Sequence, residues 1–215
     1  RIFKESYEGI VLSNTDLSNT KIIAAYIDKH QYRTDIASGG DDVKAVSEFK
    51  QVGDGAYTLY VKNNSLENLT FEAQYAQINQ FSSIDDNVKA FYATASYNWK
   101  PYTLETQTYQ TNNGQISNSD GKAYAINLMA DFDKLSLGAA YSTIDDEASI
   151  VSGLGNGADY LYTASWIYGG VYSADTDAYK LSTGYDITTD LSFDVVYASW
   201  KTADAPRASE TDFVT

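Results

Sequence analysis

Ionisable side chains that recur at alternate positions are what this sequence offers as chemistry. Lys62, Glu72, Glu105, Asp131, Lys180 and Asp194 each fall on the polar side of a segment whose other side is apolar. Charges arrayed along one face of a sheet can sort ions by sign where that face borders a narrow aqueous path. Near the ends of the segments, the same charges would simply sit at the rims and meet water. Lys21 and Lys29 are two further candidates, although Ile23, Ala25 and Ile27 share their face. Lys122 shares a side with Tyr124 and Ile126 and reads as a rim residue.

Catalysis and metal binding find little support. The chain has no cysteine, which removes thiolate ligands and disulfides, and its sole histidine, His30, lies near a strand end with no paired nucleophile motif. No nucleophile elbow, phosphate loop or zinc-protease motif occurs. We therefore expect no enzyme and no cofactor. Acidic runs at Asp41-Asp42, Asp85-Asp86, Asp145-Asp146-Glu147 and Asp175 with Asp177 lack the ordered spacing of a calcium loop and read as solvated loop surface. The formal net charge of −14 makes nucleic acid a poor partner.

The elements that position these residues are strands. Tyr124, Ile126, Leu128, Ala130 and Phe132 share one face, against Ala123, Ala125, Asn127, Met129 and Asp131. The same alternation recurs along the chain, with side chains pointing to opposite faces at successive positions. It predicts ten strands, at 6–13, 20–31, 55–62, 68–79, 88–99, 101–112, 122–132, 134–145, 178–187 and 190–201. Short connections at Asn14–Asn19, Asn63–Asn68, Lys100-Pro101, Asp133 and Thr188-Thr189 alternate with long ones at Thr34–Asp54, Gln80–Asn87, Asn113–Gly121, Asp146–Asp177 and Thr202–Glu210. That asymmetry, with no helical period and no linker, fits an all-β antiparallel transmembrane barrel in one domain, short turns on one side and long loops on the other.

A soluble sandwich or barrel also alternates, but it would need its apolar face covered. Here the opposite faces carry Ser, Thr, Asn, Gln, Asp and Lys in strand after strand. Aromatic residues gather at strand ends: Phe71, Trp99, Tyr102, Phe132, Tyr185 and Phe193 by short turns, and Tyr26, Tyr75, Tyr141 and Tyr197 towards long loops. Two aromatic belts at the bilayer interfaces have this spacing. No stretch is apolar enough for a spanning helix.

The segments Arg1-Ile2-Phe3, Tyr7–Asn14 with Gly9-Ile10-Val11-Leu12, and Ile22-Ile23-Ala24-Ala25-Tyr26 resemble the opening motif and following strand of the OprD-type outer-membrane porin family. The run Ser152–Asp159 (with Gly153, Leu154, Gly155 and Asp159), then Trp166, Tyr168 and Tyr172, then Asp177–Leu181, resembles that family's Gly-rich loop, aromatic stretch and returning strand. The resemblance covers most of the chain. It implies a barrel of about 18 strands, of which this chain is the C-terminal part, lacking N-terminal and closing strands. It also implies loops folded inward, with Gly153, Leu154, Gly155, Asp159, Trp166 and Tyr168 as constriction candidates, in a multi-pass barrel of a Gram-negative outer membrane. The implied function is passive passage of small hydrophilic solutes or ions, such as small carboxylates, amino acids or peptides, through a possible homotrimer bathed in outer-membrane lipid and lipopolysaccharide. The sequence departs from the family in its acidity, since the polar faces mix Lys with Glu and Asp. A structural or adhesive barrel without channel activity is the alternative.

Overall fold

A computed structural model describes residues 6–31, 49–80, 87–112, 120–150, 161–164, 170–203 and 211–214. Their alternating patterns form β1 (Ser6–Asn14), β2 (Thr20–Gln31), β3 (Lys50–Leu66), β4 (Leu69–Ile78), β5 (Val88–Trp99), β6 (Tyr102–Asn112), β7 (Asp120–Phe132), β8 (Leu135–Ile144), β9 (Thr176–Thr188), β10 (Leu191–Thr202) and β11 (Thr211–Val214). A short 3-10 turn at Gly170–Tyr172 precedes β9. All eleven strands lie in one sheet in chain order, each antiparallel to the next, with β1 and β11 at its edges. No described helix is long and apolar enough to cross a membrane.

The short turns are set by residues that tolerate a left-handed backbone. Asn19, Asn68 and Asp133 have φ of 54°, 61° and 53°, and Asn and Asp accept this region more readily than other non-glycine residues. The expected long loop at Thr34–Asp54 ends earlier than the sequence implied, because β3 already begins at Lys50. The alternation is lost there for a local reason. Gly53 and Gly55 sit at φ of 52° and 94° inside the strand, and the register with β2 shifts between Ile27 and Lys29. A bulged, glycine-containing stretch keeps its ladder while its side chains stop alternating.

Register fixes which side chains share a face. Ile10 pairs with Tyr26, Leu59 with Tyr75, Tyr75 with Phe91, Leu104 with Leu128, Tyr141 with Tyr179, and Tyr185 with Phe193. These directly opposed residues stand on one side of the sheet, and all but the partly covered Tyr26, Leu104 and Tyr141 are exposed. The largest fully buried side chains, by contrast, are Thr111, Thr163, Thr176 and Ser142, on the other side or in the loop against it. A fold solvated by water on its apolar side would lose its main driving force, since that force is the removal of apolar area from water.

The aromatic residues form rows along the edges of the apolar face. At the short-turn end, Tyr97 and Trp99 lie 5.6 Å apart by ring centroid, Trp99 and Tyr102 5.8 Å, and Tyr102 and Phe132 6.0 Å, a chain across β5, β6 and β7. At the long-loop end, Tyr26 pairs with Tyr57 and Tyr141 with Tyr179, each at 5.1 Å. From Phe132 to Tyr124, β7 advances roughly 26 Å. With the strand tilted by about 40°, the two ends would stand roughly 20 Å apart in height.

Candidate functional site: the polar face of the sheet

Side chains at the alternate positions make a different surface. Lys62, Glu72, Glu105, Asp131, Lys180 and Asp194 all fall on the face opposite the apolar one: Lys62 faces Glu72, Glu105 faces Asn127, Asp131 faces Ser136, and Lys180 faces Ala198 while Asp194 faces Gly184. Lys21 joins them, opposite Lys62. Lys29 does not follow the same alternation. It stands where β1 and β2 both shift register, and its amine binds Glu8 at 2.9 Å. Lys122 lies at the loop end of β7, where Glu147 and Asp145 approach its amine at 3.4 and 3.8 Å.

The polar face divides into three layers. Near the long loops it is built of small residues: Ala90, Ala123, Ala178 and Ala198 are buried. Those alanines leave a depression, and the connection between β8 and β9 fills it. Ile150, Leu161, Val171 and Tyr172 from that connection pack with Ala90, Tyr109, Ala123, Ile144, Ala178 and Trp200 in one cluster. Thr163 meets Ser142 at 2.5 Å, both fully buried. The constriction candidates Gly153, Leu154, Gly155, Asp159, Trp166 and Tyr168 lie outside the described residues.

The middle layer holds the hydrogen-bonded polar groups. Glu72 accepts from Lys62 Nζ at 2.8 Å through one oxygen and from the Tyr60 hydroxyl at 2.7 Å through the other. Glu105 accepts from Asn127 Nδ2 at 2.9 Å. Gln107 donates to the Tyr92 hydroxyl at 2.9 Å, and Gln74 to Thr58 at 2.9 Å. The Lys180 amine reaches up to the carbonyl of Ala164 at 3.4 Å. Tyr162, half-buried, lies within electrostatic reach of Glu105, Tyr92 and Glu72. Burial, reinforced by Glu105, holds its hydroxyl well above the usual range, so it stays a neutral phenol. Residues 162–164 thus meet side chains of β8 and β9 and, through Tyr162, lie within electrostatic reach of groups on β4, β5 and β6. A flat sheet would put β4 and β9 roughly 24 Å apart, which makes the polar face the concave one.

Towards the short turns the face is open and acidic. Asp131, Asp186 and Asp194 are exposed there. The Asp194 carboxylate lies across β9, where a Cβ on Gly184 would come within 2.7 Å of it. The same Cβ would meet Ser136 Oγ at 2.6 Å, so Ser136 and Asp194 both lean over Gly184 from the strands on either side.

Tyr60, Tyr92, Gln107, Asn127 and Tyr162 were not singled out from the sequence, which weighed only charged residues for the wall. The first four were legible in principle, since they share alternation with Lys62, Glu72 and Glu105. Tyr162 had no such signal. Among the described residues, no group of three or more acidic or histidine side chains is placed to hold a metal.

No family model matches the chain. No curated protein matches it either. Solved structures do. OccK8 (OprE) of Pseudomonas aeruginosa is 19% identical with a TM-score of 0.71 over 99% of this chain and 60% of its own. OpdK of the same organism, solved with vanillate, is 12% identical with a TM-score of 0.76 over 98% of this chain and 57% of its own. OccAB2 of Acinetobacter baumannii is 13% identical with a TM-score of 0.71 over 99% of this chain and 55% of its own. This chain therefore spans less than two thirds of the length of each. It has the all-antiparallel fold of a large part of an OprD-family porin barrel, the family that its opening and Gly-rich segments resemble.

Proposed function

We propose that the chain is the larger part of a β-barrel porin of a Gram-negative outer membrane, a passive diffusion channel for small hydrophilic solutes or ions. The observation that carries this reading is the inversion of the two faces. Large apolar and aromatic side chains are exposed in a band edged by aromatic rows, while the concave face is hydroxylated and charged and receives a loop. Lipid offers no hydrogen bonds, so the sheet edges at β1 and β11 require further strands to close the wall. A complete barrel of about 18 strands would supply them. The 146–177 connection would fold into the lumen and narrow it, with the stretch around Gly153–Tyr168 completing the constriction begun by residues 161–164. Transport would need no cofactor and no catalytic group.

The test is single-channel recording of the full-length protein in planar bilayers. Stable conductance steps are the expected result. A membrane-inserted, heat-modifiable protein without conductance would replace the channel with a structural or adhesive barrel. Deleting residues 152–172 should raise the unit conductance; an unchanged conductance would remove the loop from the constriction.

A further inference from the structure

Among the described residues the concave face carries Lys21, Lys62 and Lys180 against Glu72, Glu105, Asp131, Asp186 and Asp194, so acids are in excess. In the middle layer, the Lys62 amine is matched by Glu72 at 2.8 Å, whereas the Lys180 amine meets the neutral Ala164 carbonyl at 3.4 Å, which leaves its charge in place. Glu105 differs from Glu72, its nearest counterpart. Its partner is the neutral amide of Asn127 at 2.9 Å, and among the described residues no cation pairs with it. It lies within electrostatic reach of Tyr162 in the β8–β9 connection, next to the residues of that connection that touch the wall through Thr163 and Ala164.

The charge around this layer points the same way. Residues 146–177 contain Asp146, Glu147, Asp159, Asp175 and Asp177 and no Lys or Arg, so the connection stays net negative even with Glu147 matched by Lys122 and Asp177 turned to Tyr141 on the apolar face. At the short-turn end Asp131, Asp186 and Asp194 are exposed on the same face. We infer that this channel prefers cations and that Glu105 sets the preference, as a way-station for a monovalent metal ion or a small primary ammonium.

The inference rests on the channel reading above. An unneutralised carboxylate in a narrow, partly desolvated path raises the local concentration of counter-ions and excludes co-ions. Lys62 does not cancel it, because that charge is already matched by Glu72. An ammonium group has the further advantage of aromatic neighbours: Tyr92 and Tyr162 belong to the same layer, and phenol rings attract organic cations.

The experiment uses the full-length protein in a planar bilayer under a potassium chloride gradient, then with methylammonium replacing potassium. The reversal potential should report cation preference for both ions. Glu105→Gln should lower the cation-to-anion permeability ratio by at least about two-fold, while Glu105→Asp should retain it. Asn127→Asp, which adds a second carboxylate beside the first, should raise the ratio and provides the reading if Glu105→Gln fails to insert. The preference should also weaken between 0.1 M and 1 M salt, as the screening length falls from about 10 Å to about 3 Å. Conductance with anion preference, or a ratio that neither variant moves, overturns this inference and leaves the porin reading standing. Absence of any conductance in the unaltered protein overturns both.

Discussion

β7 shows the two faces of the sheet within one strand. Tyr124, Ile126 and Leu128 point one way and are 45–49% exposed, whereas Ala123 and Ala125 point the other way and are 0% and 8% exposed. In a water-soluble sheet the large residues would be covered and the small ones free. Among the described residues, nothing covers the apolar side. Alanine on the inner side makes a different contribution: its small side chain leaves room for Ile150, Leu161 and Val171 to lie over it, which buries it in turn.

The most direct way to break this comparison is to place the same charge on adjacent residues of β7. Leu128→Arg should destabilise the membrane-inserted protein by about 2–4 kcal/mol, the cost of Arg on the lipid face near the bilayer midplane. Asn127→Arg should change stability far less. Its guanidinium would enter the aqueous side and pair with Glu105, the present partner of Asn127. Denaturant titration of both variants in lipid vesicles measures the difference. Equal destabilisation, or the reverse order, would mean that the faces are misassigned.

The inner depression predicts a smaller, more local effect. Leu161→Ala removes a side chain buried in the loop cluster, which costs about 2–5 kcal/mol in a packed site. Most of that cost should fall on loop docking, because the ladder of β8 and β9 is formed without it. The expected result is faster protease cleavage within 146–177 and a larger unit conductance, with the barrel's own unfolding midpoint little changed. A variant that unfolds as a whole and shows no selective loop cleavage would mean that loop and barrel are one cooperative unit.

These two variants also mark what the sequence could and could not tell. The faces of β4 to β10 were readable because one face is continuously apolar, and a period of two survives any error in the strand ends. Six charged residues could be sorted to one face on that basis. The rule broke at Lys29 and at the start of β3, where bulges and the positive φ of Gly53 and Gly55 interrupt alternation. The seat of the loop could not be read by any period. Ala90, Ala123 and Ala178 look like weak strand residues in isolation, and only the pairing of β5 through β10 brings them together as a depression. Tyr162 was missed for the same reason: its partners Glu105, Tyr92 and Glu72 come from three strands far from it in the chain.

Docking of the loop should also depend on pH in a defined direction. The Tyr162 hydroxyl is raised above its usual value of 10.0, chiefly by burial. A group whose pKa is raised in the docked state contributes stability that is complete below its ordinary pKa and is lost as pH rises through the docked value. Loop protection from protease should therefore be constant through neutral pH and fall only in strongly alkaline solution, above about pH 10. Tyr162→Phe should remove that alkaline loss without affecting behaviour near neutrality. Loss of protection at neutral pH in the unaltered protein would place the titrating group elsewhere.

The smallest expected effect separates charge from stability within the polar face. Lys62 and Glu72 are partly exposed and 2.8 Å apart, so their contribution to stability is expected to be no more than about 1 kcal/mol. Their contribution to the lumen's charge is larger than that figure suggests, because each hides the other. Lys62→Met would leave Glu72 unmatched beside Glu105 and make the middle layer more negative. Glu72→Gln would release the Lys62 amine into it. The two variants should thus be nearly indistinguishable in denaturant, yet move the reversal potential in opposite directions, Lys62→Met towards cations and Glu72→Gln towards anions. Shifts of the same sign would show that the pair lies off the ion path. The wall charge that matters would then be in the open acidic layer below it, at Asp131, Asp186 and Asp194.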